Sequence, residues 1–143
     1  MSRHFVTRIS SLAVSVVLAV TATFAVARSE IEGITAIVVT PASGGSSAQA
    51  NEPDGVKILM QEINEQRPKL WKPYRGKLGP CAVRFTFFEQ DRRVARLVLD
   101  GNELVEFEPA SATVGSSRVV YPSELAGIRR LASKVKDQRS CGK

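Results

Sequence analysis

The sequence predicts an α+β fold, in which a small antiparallel sheet carries two amphipathic helices on one face. Residues 80–109 show the alternating apolar pattern of three consecutive strands, and segments with helical apolar spacing lie before and after them. A β-branched segment precedes the first helix. Because a strand meander and an amphipathic helix each have an apolar face to bury, this order favours helices packed on one side of the sheet. We expect a three-strand meander plus one or two further strands.

The first strand of the meander is predicted over residues 81–89. Alternation places Cys81, Val83, Phe85 and Phe87 on one face. A period of two is typical of a strand with one better-buried side. We expect that side to meet the helices.

The second and third strands are predicted to form a hairpin with residues 100–102 as its loop. The loop sequence is Asp-Gly-Asn, and these residue types tolerate the positive φ of tight turns. In this register Leu97 faces Val105 on one side of the sheet, and Arg96 faces Glu106 on the other. Both pairs stabilise the hairpin. A slip of one residue would move Glu106 to the apolar side, which is costly.

Residues 1–27 have the three parts of a secretory signal peptide. Arg3 and Arg8 make a basic start, an apolar stretch covers residues 9–24, and Ala-Val-Ala at 25–27 is a small-x-small cleavage site. The alternative is a retained transmembrane anchor, because the apolar stretch approaches the ~18–20 residues that a spanning helix needs. We favour cleavage, which predicts a periplasmic or secreted protein without an integral membrane segment.

Removal of the signal leaves 116 of the 143 residues, enough for one domain with a single core. Residues 28–53 are predicted to hold an N-terminal strand and a flexible Gly/Ser-rich linker, and residues 54–143 the α+β domain. The strand, at residues 33–40, can join the sheet or stay loose as an arm, and we favour a fourth strand of the sheet. The formal net charge falls from +6 to +4 when the two arginines of the signal are removed.

Cys81 and Cys141 are the two cysteines of the chain. An exported chain with two thiols most simply pairs them, so we predict an intramolecular disulfide. Closing a loop of about 60 residues stabilises by roughly 4 kcal/mol in the chain-entropy model. The alternatives are a free reactive thiol and an intermolecular bridge through Cys141.

Two amphipathic helices flank the meander. The first is predicted to begin with Asn51 as N-cap and to end near Arg67, because Pro68 disfavours helical geometry in the residue before it. The second is predicted to begin with Ser123 as N-cap. Their apolar stripes are Val56, Leu59, Met60 and Ile63 in the first helix, and Leu125, Ile128, Leu131, Ala132 and Val135 in the second.

Residues 67–77 contain five basic side chains, two aromatic side chains and no acidic one. Cations interleaved with aromatic rings can stack on bases and grip phosphates, or meet anionic lipid or an acidic protein surface. The alternative is that this segment only connects a helix to a strand, with Trp71 packed on the edge of the core and the cationic side chains exposed to solvent. The candidate binding site, called here the basic-aromatic patch, comprises Arg67, Lys69, Trp71, Lys72, Tyr74, Arg75 and Lys77, together with Arg129, Arg130 and Lys134 of the second helix.

The sequence offers little catalytic chemistry. The single histidine, His4, lies in the predicted signal, so the mature chain lacks Ser-His and Cys-His nucleophile pairs and histidine metal ligands. A disulfide would also remove thiol catalysis. Helix caps and solvated strand or turn positions explain the carboxylates. We therefore expect no catalytic residues, metal or cofactor.

These observations predict an exported, non-catalytic binding module that engages a protein partner in the cell envelope or outside the cell, for example as an inhibitor or accessory subunit. The alternative is a binder of anionic polymers or of the membrane surface through the basic-aromatic patch. A hydrolase that uses a pair of carboxylates is less favoured.

Overall fold

The computed structural model describes residues 28–135 and 141. Within these residues the chain forms seven strands and two helices. In chain order they are β1 (Ala36–Pro41), β2 (Ala48–Ala50), α1 (Pro53–Gln66), β3 (Lys72–Tyr74), β4 (Val83–Glu89), β5 (Arg92–Asp100), β6 (Glu103–Phe107), β7 (Gly115–Val119) and α2 (Ala126–Ser133). All strands join one antiparallel sheet with the order β2-β1-β4-β5-β6-β7-β3.

The α+β class is confirmed, but the sheet is larger than the expected four or five strands. The additional strands include β2, which lies in the predicted flexible linker, and β3, which lies in residues 67–77. Each has three residues and pairs at one edge of the sheet. Such a short edge strand is held by hydrogen bonds between backbone N–H and C=O groups, which every residue type except proline can form in full. It therefore needs no alternating apolar pattern, and the sequence gives no signal for it.

The N-terminal strand joins the sheet, as predicted. β1 pairs with β4 along its length, with Ile37 opposite Phe87 and Val39 opposite Phe85. These four side chains are fully buried. They pack in one cluster with the apolar stripes of both helices, so α1 and α2 cover the same face of the sheet. Truncating a core phenylalanine such as Phe85 to Ala typically costs about 3–5 kcal/mol.

The opposite face of the sheet, called here the outer face, is partly covered by the chain between β3 and β4. Because β3 is an edge strand and β4 is central, residues 75–82 must cross the sheet. Leu78 packs there on a smaller cluster that includes Val98 and Val105. The backbone N–H of Gly79 donates to the Asp100 carboxylate at 2.7 Å.

The hairpin forms, but the predicted register is wrong. Leu97 lies opposite Glu106, and the last pair is Asp100 with Glu103, so the loop has two residues. Gly101 at φ +60° fits such a loop, and two-residue loops match the twist of the strands they join. The shift places Glu106 on the helix-covered face beside Leu97, where arginine side chains neutralise it as described below.

Both helix starts also differ from prediction. The N-cap of α1 is Glu52, without a side-chain capping bond, and not Asn51. Pro53 follows, and proline suits a first helical position because its missing N–H would have no partner there. α2 starts at Ala126 after Leu125, so Ser123 is not its cap. The predicted end near Arg67 is confirmed, because α1 ends at Gln66 with Arg67 as its C-cap.

The predicted disulfide is confirmed. Cys81 and Cys141 are bonded, with Cα atoms 5.3 Å apart and a sequence separation of 60. The predicted signal peptide, residues 1–27, lies outside the described residues. Among the residues that are described, no helix has the length and apolar character needed to cross a membrane.

Candidate functional site

The two rings of the basic-aromatic patch are buried. Trp71 is 2% exposed and Tyr74 is 7% exposed. The Trp71 indole N–H donates to the backbone oxygen of Gln66 at 3.1 Å. The Tyr74 ring packs edge-to-face on Phe107, with centroids 5.8 Å apart. Neither ring is therefore placed to stack on a ligand, and each serves as part of the protein interior.

Arg67 is also part of the interior. Its guanidinium forms an ion pair with Glu106, and its Nε donates to the backbone oxygen of Ser29 at 2.7 Å. Arg28 lies 3.1 Å from the second carboxylate oxygen of Glu106. Burial lowers the pKa of Arg67, and the charge of Glu106 opposes that shift. Two arginines thus neutralise the one carboxylate that the hairpin register places under the helices.

Arg129 and Lys69 have structural contacts as well. Arg129 donates to the backbone oxygens of Glu124, Tyr121 and Gly101 at 2.9, 3.1 and 3.2 Å, which ties α2 to the β5–β6 loop. Lys69 lies 2.8 Å from the Glu124 carboxylate. The Lys69 hydrogen bond, followed by one from the backbone N–H of Tyr121, lowers the pKa of Glu124 to about 2.

The remaining cations of the patch are exposed but do not form one surface. Lys72 lies on β3, Arg75 and Lys77 lie on the chain that crosses the outer face, and Arg130 and Lys134 lie at α2 on the opposite side of the sheet. The sequence run from 67 to 77 therefore does not correspond to one binding surface. Arg130 and Lys134 lie together at a concave site.

That site is a groove of about 320 Å³ between α1 and α2, called here the α1–α2 groove. Its floor is apolar, and Ile58 is 59% exposed in it. The cationic side chains of Arg130 and Lys134 are at its rim. The full lining comprises Ala50, Gly55, Ile58, Leu59, Gly127, Arg130, Leu131 and Lys134.

Local sequence explains how the groove forms. Ile58 sits one position before Leu59 of the buried stripe, so it lies at the border of the apolar face of α1 and not inside the core. Gly127 allows α2 to approach closely, because a Cβ there would lie 3.0 Å from Leu59 Cδ2. Glu62 of α1 fixes that approach by accepting hydrogen bonds from the first turn of α2.

The groove residues were only partly predictable. Arg130 and Lys134 belong to the predicted patch, whereas Ile58 belongs to none of the sites predicted from sequence. A large aliphatic residue adjoining a helical stripe is the one signal that could have indicated it. Whether such a residue is covered depends on where the other helix lies, which no local pattern determines.

A second depression, of about 630 Å³, lies between residues 31–35 and α1. Asn64 lines it and is already engaged, since its side chain accepts from the N–H of Ile31 at 2.9 Å and donates to the C=O of Ile31 at 3.0 Å. These bonds hold the N-terminal segment against α1. The Asn64 side chain is therefore already occupied by hydrogen bonds within the protein.

No group of three or more His, Cys, Asp or Glu side chains is placed to hold a metal ion in residues 28–135 and 141. No family model, curated protein or solved structure matches this chain.

Proposed function

We propose that this protein is a non-catalytic binding module whose α1–α2 groove receives a segment of a protein partner carrying apolar and acidic side chains. The observation that carries the proposal is the exposure of Ile58 in an apolar groove that has Arg130 and Lys134 at its rim.

The apolar floor supplies the affinity in this proposal. Covering a large aliphatic side chain such as Ile58 is worth about 1.5–3 kcal/mol. A groove of about 320 Å³ accommodates a few side chains of a partner. We therefore expect a short segment to bind with modest affinity.

The rim supplies the selectivity. Arg130 and Lys134 are exposed cations, and positive charge beside an apolar floor favours segments that carry Asp or Glu next to apolar residues. A salt-dependent association rate is the expected sign of this contribution.

An amphipathic helix is the segment that suits the groove best. The alternative of strand addition would use the outward edge of β2, which has three residues and offers few backbone groups. A helix laid between α1 and α2 can instead direct side chains at i, i+3 and i+4 onto the apolar floor.

The proposed location is the periplasm or the cell exterior, after removal of residues 1–27. The Cys81–Cys141 disulfide supports it, because such bonds persist in oxidising compartments. A role as inhibitor or accessory subunit of an envelope or exterior protein would follow from the identity of the partner.

The other two hypotheses have less support. Stacking on a polymer through the basic-aromatic patch would need exposed rings, whereas Trp71 and Tyr74 are buried. A hydrolase would need a carboxyl group with a raised pKa to act as general acid. The pKa of Glu124 is instead lowered, and Glu106 is occupied by two arginines.

Site-specific photo-crosslinking in cells tests the groove. A photoreactive residue replacing Ile58 should give one dominant protein adduct. The same residue replacing Val119, an exposed residue of β7 that does not line the groove, should not. Arg130→Glu combined with Lys134→Glu should abolish the adduct at position 58. Equal adducts at both positions, or adducts to lipid alone, would overturn the proposal.

A further inference from the structure

Three arginines lie on the outer face of the sheet. Arg84 of β4 is opposite Val98, and Arg93 and Arg96 of β5 are opposite Phe88 and Thr86. Opposed residues share a face. The neighbouring pair Phe85–Leu97 is buried under the helices, so Arg84 and Arg96 belong to the other face. Arg93 lies on the same face, although strict alternation from Arg96 would place it on the other one. A register shift after Phe87 leaves one residue of β5 without an opposite residue, and this bulge reverses the alternation. These three residues are called here the arginine cluster.

In the described part of the chain, none of the ion pairs includes a member of the arginine cluster. Arg96 donates to the backbone oxygen of Ser111 at 2.8 Å and lies 5.8 Å from the Phe107 ring centroid. The Nε of Arg84 is buried and has no hydrogen-bond partner among the described residues. A buried donor without an acceptor is costly, so the charge of Arg84 is the less well compensated one within the described residues.

The three charges also repel one another. Burial, followed by the positive charges of Arg84 and Arg93, lowers the pKa of Arg96. Like charges gathered on a half-buried face are unfavourable unless an anion compensates them. An anion held beside the three guanidinium groups would offset this repulsion.

A cleft lies next to the cluster. The ladder between β5 and β6 ends at Leu97 and Glu106. Beyond this pair is a cavity of about 190 Å³ whose lining includes Arg93, Arg96 and Glu108. Glu106 also reaches it but is already neutralised by two arginines. The balance of charge around the cleft and the cluster is therefore positive.

We propose that the arginine cluster binds a small oxyanion of the phosphate class that carries at least two negative charges. Guanidinium groups bind phosphate oxygens through paired, charge-assisted hydrogen bonds, which makes arginine better suited to this task than lysine. Arg93 and Arg96 line the cleft and would contact the anion, and Arg84 would add its positive charge from the same face of the sheet. The site lies on the face of the sheet opposite to the α1–α2 groove, so the two sites are separate and can be tested separately.

Calorimetric titration of the full mature chain with pyrophosphate and with inorganic phosphate tests the site, with ionic strength held constant by chloride. Pyrophosphate should bind saturably and raise the melting temperature. Arg93→Gln and Arg96→Gln should each weaken binding by about tenfold or more, the loss expected for one charge-assisted hydrogen bond. Arg130→Gln, which removes one charge at the α1–α2 groove, should leave binding unchanged.

Two results would overturn the proposal. One is an equal loss in Arg130→Gln, which would mean that general attraction to a basic protein explains the binding. The other is a melting shift that chloride reproduces at the same ionic strength. If Arg96→Gln does not fold, the exposed Arg93→Gln still decides the outcome, with Arg93→Lys expected to recover part of the affinity because it restores the charge without the paired donors.

Discussion

The carboxylate of Glu106 and the guanidinium of Arg67 form a buried ion pair across 39 residues of sequence. Glu106 comes from β6 on the helix-covered face, and Arg67 from the end of α1. Arg28 pairs with the other oxygen of the same carboxylate and also donates to Ser116 of β7 at 2.7 Å. One carboxylate thus connects the sheet, the first helix and the N-terminal segment.

Replacing Glu106 by Leu should destabilise the protein by about 3–5 kcal/mol, because it leaves a buried arginine without a counterion. Arg67→Met should cost less, since Arg28 would still neutralise Glu106. Urea denaturation of the two variants measures the difference.

The double variant Arg67→Met with Glu106→Leu provides the control. It removes both buried charges and leaves only the partly exposed Arg28, which can turn to water. It should therefore be more stable than Glu106→Leu alone. If the single Glu106→Leu variant is as stable as the parent protein, the ion pair has no role in holding the register.

The strand register shows where prediction from sequence stops. Alternation correctly predicted that Phe85 and Phe87 face the helices, because the pattern of a single strand determines its faces. It could not determine the partner of Leu97. The predicted register kept Glu106 away from the core, and the observed one is stabilised by Arg67 and Arg28 from distant segments. A local pattern carries no information about such a counterion.

The same limit applies to the sites. The basic run from residue 67 to 77 looks continuous in sequence, but it passes from the end of a helix through an edge strand and onto the outer face. Its side chains therefore point to different parts of the molecule. The arginine cluster has the opposite property, because Arg84 and Arg96 are distant in sequence and become neighbours through strand pairing.

Gly127→Ala should destabilise the protein by about 1–3 kcal/mol through crowding between the helices. A Cβ there would lie 3.0 Å from Leu59 Cδ2 and 3.1 Å from Glu62 Oε1, and Glu62 caps α2. Gly55→Ala is the matched control, because its Cβ would meet only Glu52 Cβ at 3.9 Å. It should stabilise by roughly 0.5–1 kcal/mol. Thermal melting of both variants should show a lower melting temperature for Gly127→Ala and a higher one for Gly55→Ala. A higher melting temperature for Gly127→Ala would contradict the close approach of the two helices.

Cys141→Ser should lower the free energy of unfolding by up to about 4 kcal/mol, because the disulfide closes a long loop in the unfolded chain. Adding reductant to the parent protein should reproduce most of the loss and should leave the variant unchanged. Thiol labelling of unfolded, unreduced protein is the direct check. Two labelled cysteines per chain would contradict the bridge.

Glu124→Gln should remove a contribution to the free energy of unfolding that the parent protein has near neutral pH and loses in acid. The pKa of the Glu124 carboxyl is lowered from 4.5 to about 2 in the folded protein, first by Lys69 and then by the Tyr121 N–H. Since the folded pKa is below the unfolded one, the charged carboxylate stabilises the fold above about pH 4.5, and this contribution is lost as the pH falls through about 2. The parent protein should therefore be the more stable of the two at pH 6, and the difference should shrink steadily towards pH 2.

Urea denaturation between pH 2 and pH 6 measures that difference, with Glu65→Gln, at an exposed position of α1, as the control for loss of one negative charge. Lys69→Met should also make the free energy of unfolding depend less on pH, as Glu124→Gln does, because Lys69 is the main cause of the lowered pKa of Glu124. A difference that stays constant over the whole range would mean that Glu124 acts through packing and not through its charge. Because the Lys69–Glu124 pair is partly exposed, salt should screen it. Added salt should therefore reduce the stability difference between the parent protein and Glu124→Gln at pH 6 without changing its sign.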